Sequence, residues 1–265
     1  MMKELKFAIY SIKKNIQSSA ELRTSFLTNV IGMAINDVSF IIIWVFFVQS
    51  VGVINGWTAT DIIALQGFNT LCFGVVFSFG YGIRKIADYV SSGSFDRFML
   101  SPKNLLLRIA TSAFGASAIG DIIFGITCFV VYGILAHITF YQAIFLFVLV
   151  ILSVLVFLSV AITVYSASFI LVDASNVISG LFELFISPTI FHGGAFQGGM
   201  RFFFTFIIPS LLVGGLPVEI VRDVSLGKLA LVAVLAVGWF FLSIKLFNKG
   251  VRKYESSNFM TFGNN

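Results

Sequence analysis

Asp37, Asp121 and Glu183 each fall inside a long apolar run, where an acid is costly and therefore informative. A carboxyl group there can pair with a cation, relay a proton, or hydrogen-bond a neighbouring helix. Other reactive groups are few. His137 and His192 are the only histidines, each at the end of an apolar run and better read as interfacial side chains than as ligands. Cys72 and Cys128 lie within such runs, where small thiols pack. No H-E-x-x-H metal pair and no G-x-S-x-G nucleophile elbow occurs, so neither a catalytic set nor a metal site is expected. The phosphate-binding pattern G-x-x-x-x-G-K-[ST] is also missing, since Gly227-Lys228 has neither the upstream glycine nor the following hydroxyl.

The elements carrying these acids belong to a membrane bundle. Of 265 residues 58% are hydrophobic and 11% charged, with a mean hydropathy of +1.00; soluble domains are roughly 45–50% apolar and about 25% charged. Apolar runs near the roughly 20 residues that cross hydrocarbon point to helices, because barrel strands would be shorter and alternating. The expected fold is all-α with about six spans: Phe26 to Val53, Asp61 to Ile83, Ile109 to Ala136, Ala143 to Val172, Val177 to Phe191 and Leu229 to Phe247. An amino-terminal helix over residues 1–24 precedes them, with Leu5, Ile9, Ile12 and Ile16 at helical spacing, and is expected along the interface. Between spans five and six, Phe202 to Leu216 is apolar but broken by Pro209 and Gly214-Gly215, with Pro217 behind. Too short and interrupted for one crossing, it reads as an outer re-entrant hairpin over 193–217 rather than a seventh span.

Fourteen of the 17 Lys and Arg residues lie before span one, between spans two and three, or at the close of span six and after it, which places both termini in the cytoplasm and requires an even number of crossings. The net charge of +5 follows from that asymmetry, so nucleic acid is not an expected partner whereas membrane lipid is. Residues 25–253 then form one membrane domain and 254–265 a polar cytoplasmic tail.

The first span can carry its acid. A central Asp costs about 2.5–3.5 kcal/mol, while fourteen Leu, Ile, Phe and Val residues between Phe26 and Val48 return roughly 4–8 kcal/mol. Asn29, Gly32, Met33, Asn36, Asp37, Phe40 and Trp44 recur at helical spacing and form one polar-to-aromatic stripe. With Glu183 it is a candidate substrate path or subunit seam; an interhelical hydrogen bond explains Asp37 equally well. For Asp121, the small residues Ser112, Ala116 and Gly120 favour close helix packing.

Two segments carry a family resemblance. The loop 84–108 contains Gly93-Ser94-Phe95-Asp96-Arg97-Phe98-Met99-Leu100-Ser101-Pro102, after an amphipathic stretch with Ile83, Ile86, Ala87 and Val90. It resembles the cytoplasmic motif of ABC-2 type permeases, especially the branch of paired, poorly characterised ones. The run from Pro188 through Phe196 and Arg201 to Pro209 and Pro217 resembles that branch's fifth span and outer re-entrant region. Many relatives have a basic residue where this chain has Ser101. The resemblance implies a permease subunit of an ATP-driven exporter in a bacterial cytoplasmic membrane, working by alternating access. ATP and Mg would sit on a partner ABC ATPase, no cofactor on this chain, and a second copy or a homologous permease would complete the pair. It also implies that Arg84, Ile86, Val90, Gly93, Phe95, Asp96, Phe98 and Pro102 belong to the ATPase-coupling loop. The rival reading is an ion-coupled secondary transporter or channel working through the intramembrane acids.

Overall fold

The computed structural model describes residues 2–51, 56–171 and 175–254. Its long elements are all helices. Helix α1 spans Met2–Glu21, α2 Arg23–Val51, α3 Ala59–Phe79, α8 Ala118–Leu135, α9 Phe140–Ser166 and α13 Leu226–Val251. Four short helices, α4 (Tyr81–Arg84), α5 (Ile86–Ser91), α6 (Asp96–Met99) and α7 (Leu105–Ala110), form the loop between α3 and α8. Helix α10 covers Ser175–Thr189, and α11 (Gly198–Phe202) and α12 (Gly215–Asp223) lead into α13.

Among the described residues, α2, α3, α8, α9 and α13 are long and apolar enough to cross a membrane. Helix α10, where the fifth span is expected, has 15 residues, about 22 Å at 1.5 Å per residue and so short of a hydrocarbon core of about 30 Å. The expected ends at Val53 and Val172, and the tail beyond Tyr254, lie outside the described residues.

Helix α3 is the spine. Small residues let α8 lie against it at backbone distance: a Cβ on Gly74 would stand 2.8 Å from the Ile122 amide nitrogen, and one on Gly125 2.9 Å from that of Leu71. Edge-to-face rings of Phe73, Phe77, Phe157, Phe182 and Phe185 fasten α3, α9 and α10 together. Helix α2 is peripheral, only 11% of its apolar stretch being buried against 72% for α3.

The third span does not start at Ile109 as the hydropathy suggests. Helix α7 stops at Ala110, the chain bends through residues 111–117, and α8 begins at Ala118. The Thr111 and Ser112 hydroxyls donate to the carbonyls of Leu107 and Ile109 (2.9 and 2.7 Å), which also accept the amides of Thr111 and Ser112, so these bonds close the last turn of α7. The Thr111 carbonyl instead accepts from Ser11 Oγ (2.7 Å) and Asn15 Nδ2 (2.8 Å), tying α1 to the bend. Ala8 is buried on that face of α1, while Ile9 is 59% exposed.

The segment 193–217 is broken as its Pro and Gly residues require. A tight 3-10 turn at Gly193–Ala195, α11, a wide π turn at Phe203–Ile207 and a second 3-10 turn at Ser210–Leu212 follow in order. Side-chain bonds hold the segment to α9 and α10: Ser153 Oγ donates to the Leu212 carbonyl (3.3 Å), and Ser210 Oγ to that of Phe185 (2.8 Å). Pro209 follows the π turn, and Pro217 sits in the first turn of α12, where its missing N–H is harmless. Pro188 lies buried near the end of α10.

Candidate functional site

Four helices meet around a polar-lined cavity of ≈ 350 Å³. Helix α2 contributes Asn36, Asp37 and Phe40, α3 Gln66, Asn69 and Thr70, α8 Asp121, and α10 Phe182 and Glu183, with Arg84 entering from α4. Close approach of α8 to α2 brings the acids together: a Cβ on Gly120 would stand 2.5 Å from the Val30 carbonyl oxygen and 3.0 Å from Met33 Cβ. The carboxyls of Asp37 and Asp121 come within hydrogen-bonding reach of each other, both residues being buried. Opposite them, the Thr189 hydroxyl bonds the Asn69 side chain (2.8 Å) and pins α10 to α3.

Of the proposed stripe, Asn36, Asp37, Phe40 and Glu183 converge on this cavity, whereas Asn29 is exposed and bonds Ser25 within its own helix (2.8 Å). Sequence reasoning missed Gln66, Asn69 and Thr70. Their signal was three polar residues at i, i+3 and i+4 within an apolar run. Arg84, assigned to the loop, lines the cavity and stacks over the Phe77 ring at 5.6 Å. It belongs to both sites at once, as the last residue of α4, the first of the loop helices.

The loop has a locked base and an exposed tip. Ile86, Val90 and Phe95 are fully buried, and Phe95 packs on Phe169 (4.9 Å) and on Tyr254 (4.8 Å) at the start of the expected tail. Gly93 turns the chain with φ +68°, a conformation that favours glycine, and the Phe95 amide closes the turn on the Tyr89 carbonyl (2.9 Å). Phe98 is half-buried against Tyr89, and Arg108 donates to its carbonyl. Asp96 is half-buried and Pro102 exposed. What projects is Arg97, Met99 and Leu100, Leu100 at 85% exposure being an apolar side chain wholly outside the fold.

On the other face, Arg201 and Glu219 form an ion pair (2.6 Å) that ties α11 to α12. Arg222 reaches Asp61 (3.6 Å) and the Gly56 carbonyl (2.8 Å), fastening α12 to the capped start of α3. His192 is buried against Trp57, and burial lowers its pKa, so it is uncharged at neutral pH.

A comparison with protein families places the chain. The family model described as ABC-2 family transporter protein matches residues 33–258. The chain belongs to the ABC-2 transporter family. No curated protein and no solved structure matches it. The ABC-2 match runs from α2 through α13, so the cavity and the loop both lie within it and α1 outside it.

A first prediction concerns the acid pair of this ABC-2 chain. Asp37→Asn keeps volume and hydrogen bonding but removes charge, whereas Asp37→Leu leaves Asp121 facing an apolar group. We expect Asp37→Asn to insert and assemble normally while changing transport, and Asp37→Leu to lower thermal stability by about 1–3 kcal/mol, the cost of an unsatisfied buried polar group. Detergent-solubilised unfolding curves and vesicle transport read the two effects separately. If both variants behave as the parent, Asp37 has no role in either.

Proposed function

We propose that this chain is the permease subunit of an ATP-driven exporter, paired with a second copy or a homologous permease and energised by a separate ABC ATPase that carries ATP and Mg. The observation that carries the reading is the loop of an ABC-2 chain whose base is anchored in the core while Met99 and Leu100 project from it. A docking contact needs both properties: an apolar tip for the partner to bury, and a rigid base that passes movement on. Phe95 relays to Phe169 and Phe169 to Phe247 (5.6 Å), so displacement of the tip reaches the end of α9 and α13. Arg84 connects the same loop to the cavity. Alternating access follows if ATPase closure pushes the loop and repositions α3, α4 and α10 around the acids.

Helices α2 and α10, which flank the cavity, offer one apolar surface for a permease partner, with Ile35, Ile43, Val177 and Leu184 each at least half exposed, as residues of α8, α9 and α13 also are. Charge distribution supports a cytoplasmic loop and cytoplasmic termini. In this topology α10 serves as the fifth crossing, and 193–217 dips in from outside. Cysteines introduced at Ser92 and Gln197, both exposed, are expected to label from opposite sides of the membrane, against a background in which Cys72 and Cys128 are buried. Labelling of both from one side contradicts the topology.

The functional test is purification in mild detergent with identification of co-purifying chains. An ATPase and one further permease copy or homologue are expected, with ATP hydrolysis by the complex. Proton-coupled transport by the chain alone, with no ATPase bound, would support the secondary-transporter reading instead.

A further inference from the structure

Three residues that line the cavity each keep a buried polar atom without a hydrogen-bond partner among the described residues: Asp37 Oδ2, Asp121 Oδ2 and Gln66 Nε2, on residues only 7%, 2% and 2% exposed. Buried polar atoms of this kind are rare and call for an occupant. Two neighbouring carboxyls cannot both stay charged with nothing between them, so a proton or a cation must stand there. The Gln66 amide nitrogen asks for something different, an acceptor.

We propose that this cavity binds the headgroup of an amphiphilic cation, with a protonated amine between Asp37 and Asp121 and an ether, hydroxyl or carbonyl oxygen of the same molecule accepting from Gln66. The proposal rests on the transporter reading and names its substrate class. When the site is empty, one proton shared by the two carboxyls closes the pair; on binding, that proton leaves to water, and the ammonium donates its N–H to one carboxylate while its charge balances the other. Phe40, Phe73 and Phe182 supply aromatic walls for the cation's carbon skeleton and for cation–π attraction. The volume of ≈ 350 Å³ falls within the roughly 300–1,000 Å³ usual for small-molecule sites. A bare metal ion fits less well, because the described residues contain no cluster of three or more ligating His, Cys, Asp or Glu side chains.

Three radiolabelled probes test this on the purified complex in lipid nanodiscs: verapamil, a tertiary amine with ether oxygens; a neutral verapamil analogue in which an amide replaces the amine; and tetraphenylphosphonium, a cation without an acceptor. On the parent protein verapamil is expected to bind saturably and the neutral analogue at least about tenfold more weakly, a comparison that needs no variant. Asp37→Asn and Asp121→Asn should each weaken verapamil and tetraphenylphosphonium by about tenfold, whereas Gln66→Leu should weaken verapamil alone. Absence of saturable verapamil binding, or equal binding of the neutral analogue, overturns the proposal. Failure of the site and failure of the permease reading are separable: an ATPase-bound complex that ignores all three probes loses only the cation site. A chain that binds verapamil as expected but associates with no ATPase loses only the ATP-driven reading.

Discussion

Leu100→Asp is expected to leave the permease folded and inserted but to abolish its association with the proposed ATPase, and ATP-driven transport with it. The side chain is 85% exposed and makes no contribution to the core, so the fold has nothing to lose. The docked state has much to lose. Burying a leucine is worth about 1.5–3 kcal/mol, so Leu100→Ala should weaken association roughly 10- to 100-fold. An aspartate in the same contact adds the cost of burying an unpaired charge. Gel filtration of the permease alone should be unchanged for both variants, while pull-down of the ATPase falls in the order parent, Ala, Asp. A Leu100→Asp permease that still binds and stimulates the ATPase would move the contact elsewhere on the loop.

Gly82→Ala is expected to cost more stability than any other single methyl addition considered for this chain. A Cβ at Gly82 would fall within the van der Waals shell of the Ile109 carbonyl oxygen, with Ser112 Oγ also in the way. Both neighbours belong to α7 and the bend that follows, and neither backbone can yield without parting α4 from α7. Overpacking costs typically about 1–3 kcal/mol, and a backbone obstacle puts this site at the upper end or above. Gly238→Ala in α13 is the control: nothing lies within 4 Å, so the gain in helix propensity should leave stability equal or raised by up to about 1 kcal/mol. Fluorescence-detected thermal unfolding in detergent distinguishes the two. Equal melting of both variants would mean that the α4–α7 contact is absent from the protein in its membrane.

Hydropathy made the helices legible because a chain in lipid must satisfy its backbone within each segment. The spans from Asp61, Ala143 and Leu229 accordingly match α3, α9 and α13 to within a few residues. It failed at Ile109, where the small residues of 110–118 give no sharp hydropathy break, although the Thr111 carbonyl leaves the helix ladder for Ser11 and Asn15 of α1. Periodicity found the α2 half of the cavity, since Asn36, Asp37 and Phe40 share one face. It could not show that Asp121 and Gln66 face them, because that depends on glycine contacts between helices. The loop was recognisable as a motif, yet its named positions divide by burial: Ile86, Val90 and Phe95 hold the base, and the exposed Met99 and Leu100 were not singled out. A short amphipathic segment does not reveal which apolar residues the fold consumes and which it leaves for a partner.

The coupling role of the loop is tested most directly by placing a photo-activated cross-linking amino acid at position 100 and irradiating intact membranes. Coupling through this tip predicts an adduct between the permease and a protein bearing an ATP-hydrolysing domain, reduced or shifted when ATP is depleted, and no such adduct from a probe at Gln197 on the opposite face. Adducts from position 100 confined to lipid or to the permease itself, in membranes where the complex is transporting, would contradict it.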